Sequence, residues 1–395
     1  MANDFNYYSP TEVVFGKGAH KKTAAHVKKY GGTNVLIIYG SERVVKDGLM
    51  KEITDSLEDE KIPFKMLGGV VPNPHLKKVY EGIKLGKKMK ADFILAVGGG
   101  SVIDTAKAVA YGLAESGKDV WELYSHSRKA KSCLPVASVL TISAAGSETS
   151  NSSVITNEKT KEKRSYNDDI ARPKFAVMNP ELTLSLPDYQ TESGCTDIMM
   201  HTMERYFTNK GNMEITDKIA EGLLQTVMKN AVILHHNPEN YDARAEVMWA
   251  GSLSHNGLTE CGTGGGDFLS HMLEHELGGM FDVTHGAGLA AIWPSWARYV
   301  YKDCLPRFVK YALNVMKVKK EGSDEEIALK GIKAMEDFYH SIGMPVNLKE
   351  LGIHPTEEEI LKLAAGAAKA SGGAKGAAKL CGEKDFAEIY RMANA

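Results

Sequence analysis

Two pairs of residues, each four apart, make the clearest chemical statement in this 395-residue chain. Asp197 and His201 lie in a segment of helical spacing, so both side chains leave the same face. His271 and His275 repeat the interval in another such segment. His285 follows in Asp282-Val283-Thr284-His285-Gly286-Ala287-Gly288. One carboxylate with several imidazoles is a nitrogen and oxygen donor set suited to a divalent transition metal, Fe2+ or Zn2+. Calcium or magnesium would want more oxygen ligands. For any single histidine the ordinary reading is a satisfied core or surface residue, and it applies to His20, His26, His126, His235, His236, His255 and His340. The same stretch carries a competing message. His271-Met272-Leu273-Glu274-His275 spells H-x-x-E-H, in which both histidines would bind zinc and Glu274 would activate water as in a peptidase. A peptidase, however, gives the glycine turns of the first half no task.

Those turns suit a nucleotide. The apolar run Phe93–Val97 leads directly into Gly98-Gly99-Gly100-Ser101, with a helix expected from about Ser101. Glycines admit an anion close to the backbone, and the start of a helix aims free N–H groups and a positive dipole end at it. The pattern is not a full G-x-G-x-x-G, because Ile103 stands where the third glycine would be. A second turn, Thr141-Ile142-Ser143-Ala144-Ala145-Gly146-Ser147-Glu148, follows another strand-like run. Two such strand ends would line one crevice at the carboxyl edge of a sheet. The earlier strand ends in Tyr39-Gly40-Ser41-Glu42-Arg43. Gly40 leaves room there, and Ser41 and Arg43 could take a 2′-phosphate, which slightly favours NADP. Glu42 pointing inward would favour NAD instead.

The elements that must position these residues change character near residue 187. Before it, buried strands read at 35–39, 93–97, 134–140 and 175–178 alternate with helical segments around 46–60 and 75–90, the latter introduced by Pro72-Asn73-Pro74. This is the pattern of a parallel sheet covered on both faces. Glu12–Phe15 reads as a separate edge strand, available for dimer contacts. After Leu186-Pro187 helical spacing dominates, at 192–208, 214–234, 241–258, 268–279 and 324–342. The expected domains are therefore 1–187, a Rossmann-like α/β dinucleotide-binding domain, and 188–395, an all-α metal-binding domain. Ala364–Lys379, low in complexity, reads as a weak helix or mobile surface segment.

Bulk properties narrow the partners. Lys+Arg 48 against Asp+Glu 50 gives a net charge of −2, which offers no electrostatic reason for a nucleic-acid or anionic-membrane partner. No apolar run approaches membrane-span length. Five cysteines scattered singly argue against a disulfide framework and fit a reducing cytoplasm. The opening MANDFNYYSPTEVVFGKG lacks the basic-then-apolar order of a signal peptide. A small-molecule substrate is expected.

Taken together, GGGSVIDTAK, TISAAGSE, DIMMH and HMLEH followed by DVTHGAG resemble the iron-containing (group III) alcohol dehydrogenase family. The likeness runs from Pro10-Thr11 and Phe15-Gly16-Lys17-Gly18 through Val71-Pro72-Asn73-Pro74 to the last helices. Glu239-Asn240-Tyr241-Asp242, Val247-Met248-Trp249-Ala250 and the DVTHG segment bring it nearest the butanol dehydrogenase and broad aldehyde reductase branch. The resemblance implies a dehydroquinate synthase-like architecture, with the active site in a cleft between the two domains. It implies metal ligands at Asp197, His201, His271 and His285, and places His275 near the nicotinamide, where it could relay a proton. It also implies cofactor contacts from Gly98, Gly99, Gly100 and Ser101, and from Asp104, Thr141 and Lys163. Gly40, Ser41, Asn73 and Ser143 complete the expected cofactor set. The implied reaction moves a hydride between NAD(P)H and a small primary alcohol or aldehyde such as butanol or butyraldehyde, assisted by the metal. A homodimer is expected. Two departures stand out: Asn179 where the family often has aspartate, and Phe268 where an indole is common. Within the same superfamily, a dehydroquinate synthase-like lyase would call for a basic cluster around the metal, and little beyond Arg205 supplies one.

Overall fold

The structure, a computed structural model, describes residues 3–211 and 213–395. The chain forms two compact units, one of Ser9–Leu186 and one of Pro187–Ala395 together with the described residues ahead of Ser9.

The first unit is built on a parallel sheet. Its strands are β1 (Glu12–Phe15), β2 (Val35–Tyr39), β3 (Phe64–Leu67), β4 (Phe93–Gly98), β5 (Val136–Leu140) and, last in the sheet by sequence, Phe175–Met178. A hairpin of β6 (Ser152–Asn157) and β7 (Glu162–Asn167) precedes that final strand, which is therefore β8. The spatial order is β1-β8-β5-β4-β2-β3, and all neighbours are parallel. Around them lie α1 (Thr23–Lys29), α2 (Arg43–Lys46), α3 (Leu49–Asp59), α4 (Leu76–Met89), α5 (Gly100–Ala114) and α6 (Trp121–Tyr124).

The inner strands β2, β4 and β8 are apolar throughout because both faces are covered. Val35, Ile37, Leu95 and Val97 pack with Val27 of α1 and with Ile53 and Leu57 of α3. The alternate residues Leu36, Ile38, Ile94 and Ala96 are equally buried. The chain steps outward from β2 to β3, then returns to the other side of β2 as β4. That reversal makes the carboxyl ends of β2 and β4 the switch point where open α/β sheets bind ligands. Gly40 and Gly98 close those two strands.

The second unit is mainly helical: α7 (Asp188–Tyr206), α8 (Glu214–His236), α9 (Tyr241–His255), α10 (Leu269–Phe281), α11 (His285–Val300), α12 (Leu305–Asn314), α13 (Asp324–Ser341), α14 (Glu357–Ser371) and α15 (Glu383–Ala393). Every residue of α7 from Thr191 to Tyr206 is buried, as a helix at the centre of a bundle must be. Buried Trp293 and Trp296 anchor α11 in the same core.

The Ala-rich stretch at 364–379 behaves differently from the expected weak or mobile segment. Its first half continues α14, with Leu363, Ala364 and Ala367 buried. The small side chains serve close packing on α10, since a Cβ at Gly366 would lie 2.1 Å from the Glu276 carboxylate. After Gly372 the chain forms a two-residue antiparallel pair, β9 (Ala374–Lys375) with β10 (Cys381–Gly382). Between them, Ala377 and Ala378 donate their backbone N–H groups to buried Asp267. No helix among the described residues is long and apolar enough to cross a membrane.

Candidate metal centre and cofactor cradle

Three helices bring the acidic and imidazole candidates of the second unit together. Asp197 and His201 stand one turn apart on α7, His271 lies in the first turn of α10, and His285 opens α11. The next residue explains how α11 can begin so close to α7. A Cβ on Gly286 would sit 2.0 Å from the carbonyl oxygen of Ser193, so only glycine permits the approach.

Asp197 Oδ1 is the common focus. It lies 3.3 Å from His201 Nε2, 3.5 Å from His271 Nε2 and 3.8 Å from His285 Nε2. Ligand bonds of about 2.1 Å place neighbouring corners of a tetrahedron about 3.4 Å apart, so these separations fit a single transition metal. Asp197 Oδ1 and His271 Nε2 are buried and make no hydrogen bond among the described residues. Buried polar atoms left in this way are costly unless something else satisfies them. The donor set, burial and spacing therefore fit a divalent ion.

Around this focus lies a second layer that sequence patterning passes over. Glu204, fully buried on α7, accepts from the His271 ring at Nδ1 and from the His271 backbone N–H at 3.1 Å. Glu274, fully buried on α10, accepts from His285 Nδ1. The third imidazole is held otherwise. His201 Nδ1 has no hydrogen-bond partner among the described residues, and the ring of His255 lies against its ring at 3.9 Å between centroids. Arg205 donates to His255 Nδ1 at 3.3 Å, to the carbonyl of His201 at 2.7 Å and to Glu260 at 3.1 Å. Its guanidinium also lies 4.7 Å over the ring of Phe268, the residue that stands where an indole is common.

Charge in this layer is uneven. Burial pulls the His271 imidazole down, but the Glu204 and Asp197 carboxylates outweigh it and hold it up at about 9. Burial drives His201 well below the usual histidine range, and the neighbouring His255, His271, Arg205 and His285 add to this. The carboxylate side of the cluster thus favours positive charge. His275 is half-buried, with its ring 6.3 Å from that of His271 and 5.8 Å from that of His285. It groups with Glu274 and His285, whose nearest ligand atoms lie within 4.8 Å of one another.

A signal for Glu204 was present in the chain, since Asp197, His201 and Glu204 fall at i, i+4 and i+7 on one helix face. His255 carries no comparable mark, because only the packing of α9 on α7 brings it to His201. Three of the other histidines have carboxylate partners far from this focus. His20 meets Glu52 at 3.1 Å, His26 meets Glu12 at 3.2 Å, and His340 meets Glu350 at 3.0 Å.

In the α/β unit, the glycine turn is shaped by its neighbours. A Cβ on Gly98 would lie 2.5 Å from Val102, one on Gly99 would lie 3.0 Å from Ile142, and one on Gly100 would lie 3.2 Å from Ala145. The first and second turns therefore touch through Gly99 and Gly100. Helix α5 starts at Gly100, and its first N–H groups have no carbonyl ahead of them within the helix. Ser101 lies in that first turn. A Cβ on Gly40 would be 3.3 Å from both Val102 and the carbonyl of Val70, so the end of β2 lies close to the start of α5.

Thr141 donates its backbone N–H to the Gly98 carbonyl at 3.1 Å, and both Thr141 and Ser143 are buried. Asp104 uses its two carboxylate oxygens within the protein, accepting from Ser147 Oγ at 2.5 Å and from the Val154 N–H at 3.0 Å. One turn later on α5, fully buried Lys107 donates to the carbonyls of Ser147, Ser150 and Ser152 at 2.7–3.0 Å. Lys163, buried on β7, stands opposite Thr156 of β6, whose N–H bonds the Pro74 carbonyl. Asn73, just before that proline, is buried with a left-handed φ of 51°. Near the end of β2, the Tyr39 hydroxyl donates to Glu42 at 3.2 Å and Arg43 donates to the Ser185 carbonyl at 3.0 Å. Asn179 works as the cap an aspartate would provide, with its side-chain oxygen accepting from the Glu181 N–H at 3.1 Å.

Comparison with known proteins agrees across the chain. Residues 10–180 match the family model described as iron-containing alcohol dehydrogenase, and residues 191–394 match the model for the C-terminal part of the Fe-containing alcohol dehydrogenase family. NADH-dependent butanol dehydrogenase A of Clostridium acetobutylicum is 39% identical over 98% of both chains. The NADPH-dependent aldehyde reductase YqhD of Escherichia coli is 35% identical, over 89% of this chain and 90% of its own. The crystal structure of NADH-dependent butanol dehydrogenase A from Thermotoga maritima superposes with a TM-score of 0.95 at 37% identity, covering 100% of this chain and 99% of the other.

Proposed function

The chain belongs to the iron-containing alcohol dehydrogenase family, and on that premise we propose that it interconverts small primary alcohols and aldehydes with NAD(P)H as hydride carrier and a divalent metal held by Asp197, His201, His271 and His285. The observation that carries the reading is the convergence of three imidazole Nε2 atoms on one buried carboxylate oxygen that has no hydrogen bond among the described residues. Fe2+ or Zn2+ in that set would act as a Lewis acid toward the oxygen of an alcohol or aldehyde. The nicotinamide, when bound, carries the hydride.

The protein's own residues do the rest. The N–H groups opening α5, with Gly98, Gly99, Gly100 and Ser101, bind the pyrophosphate, and the glycines keep side chains out of its way. Asn73, Thr141, Ser143 and Lys163 line the remainder of the nucleotide site. Asp104 holds Ser147 and the second turn in register with α5. His275 takes up or returns the alcohol proton. Gly40 and Ser41 leave room at the ribose, which supports a slight preference for NADP. The unpaired edge of β1, with Phe15 exposed, is the surface on which a homodimer would form, and the scattered cysteines suit the cytoplasm.

Nothing favours the alternatives. A lyase acting on a phosphorylated substrate would need a free cation beside the ligands, whereas the Arg205 guanidinium is engaged with His201, Ser254 and Glu260. A zinc peptidase would need Glu274 for water, whereas Glu274 is bonded to His285. The test is to follow reduced-nicotinamide absorbance with short aldehydes, offering NADPH and NADH at equal concentration, on protein stripped of metal and reloaded with iron, zinc or nothing. Activity is expected only with metal. Equal turnover in the metal-free sample would overturn the reading.

A further inference from the structure

We propose that Glu204 and Glu274 are positioning residues that hold His271 and His285 as the tautomers able to bind metal, an inference that rests on the metal centre proposed above. Each carboxylate is fully buried and each meets an imidazole at Nδ1. An ionised carboxylate only accepts hydrogen bonds, so the proton on both rings is held at Nδ1. When the ring is neutral, as a metal ligand must be, the lone pair lies on Nε2, the atom that faces Asp197 in both cases.

The two contacts form a relay across helices. Glu204 on α7 sets a ligand on α10, and Glu274 on α10 sets a ligand on α11. The second brace has its own allowance in the chain. A Cβ on Gly288 would lie 2.9 Å from Glu274 Cγ and 3.2 Å from its Oε1, so glycine at that position of α11 makes room for the carboxylate. The glutamate of the H-x-x-E-H string thereby gains a role unlike water activation: it orients the ligand eleven residues later. Orienting carboxylates of this kind typically govern metal affinity by ten- to a hundredfold.

Zinc-loaded protein tests the idea without recourse to activity. Zinc loss to a chelator should be ten- to a hundredfold faster in Glu204→Gln and Glu274→Gln than in the parent chain. Glu274→Leu should be worse than Glu274→Gln, because the amide oxygen can still accept from Nδ1–H. In parallel, nitrogen-15 histidine spectra of the metal-free parent at about pH 10, with no zinc on Nε2 to dictate the tautomer, should show Nδ1–H protons for His271 and His285. Glu204→Leu and Glu274→Leu should each remove only the signal of the ring that the lost carboxylate held. That spectrum of the parent chain needs no variant, so it decides the matter even if a glutamate substitution fails to fold. Zinc release within twofold of the parent in the variants, or an Nε2–H tautomer at either ring, would overturn the proposal. A parent chain that takes up no zinc or iron at all would overturn the metal centre, and this inference with it.

Discussion

The ring of His275 stands almost perpendicular to that of His271, at 88°, although the two lie one turn apart on α10. Its half-buried position beside His285 gives it a route to solvent that the deeper imidazoles lack. An imidazole so placed can pass a proton, and general acid–base participation usually contributes about 10²-fold or more to a rate. His275→Ala should therefore lower kcat by about 100-fold or more and flatten the pH–rate profile, while metal content by elemental analysis stays at the parent level. Unchanged turnover and pH profile would remove the relay, and loss of metal would instead make His275 a ligand. At this scale the chain was legible where chemistry follows helical spacing. Asp197, His201 and His271 meet because i, i+4 geometry and a shared core bring them together. Glu204 shares their face but reads in isolation as any helix-surface glutamate. His255 is invisible until α9 is docked on α7.

Elements rather than single residues set the cofactor cradle. Lys107 and Asp104, one turn apart on α5, tie that helix to the segment from Ser147 to Val154, so the two turns behave as one piece. The far end of α5 is fixed by Glu115. It accepts from the backbone N–H groups of Lys131 and Ser132 and from Arg128 at 2.8 Å. The Lys131 N–H outweighs burial and, with Lys118, Ser132 and Arg128, holds the Glu115 carboxyl down at about 2. Because this folded-state value lies below the unfolded one, the stabilisation is complete above about pH 5 and is lost as pH falls from about 4 through 2. Glu115→Gln should destabilise the α/β unit by about 1–3 kcal/mol at pH 7. In denaturant titrations the gap from the parent should narrow steadily below pH 4; a gap independent of pH would contradict the assignment. Strands β2 and β4 were readable because burial on both faces demands unbroken apolar runs. The hairpin of β6 and β7 was not. Ser152–Asn157 and Glu162–Asn167 are largely polar and mimic loop sequence, and their strand character comes from pairing with each other and from α5 beneath β6.

For the molecule as a whole, the proposed metal centre would act as a cross-link. Its four proposed ligands come from α7, α10 and α11, so a bound ion would join three helices of one unit and none of the other. Three buried carboxylates, Asp197, Glu204 and Glu274, lie around that point, and removing a dication leaves their charge only partly offset by the His271 imidazolium. A ligand that binds only the folded state stabilises it by about 4 kcal/mol when present at about a thousand times its dissociation constant. For a unit of this size that corresponds to a melting shift of about 10 °C. Tryptophan emission reports mainly the right unit, because three of the four tryptophans lie in it: Trp293 and Trp296, buried on α11, the helix that His285 opens, and Trp249 on α9, with Trp121 of α6 removed by substitution to phenylalanine. Chelation should lower the midpoint seen by tryptophan emission by that amount, and adding back zinc should restore it. The quadruple ligand variant, with Asp197, His201, His271 and His285 replaced by alanine, should melt at one temperature whether or not zinc is present. A parent chain whose tryptophan midpoint ignores chelator would show that no ion ties α7, α10 and α11 together.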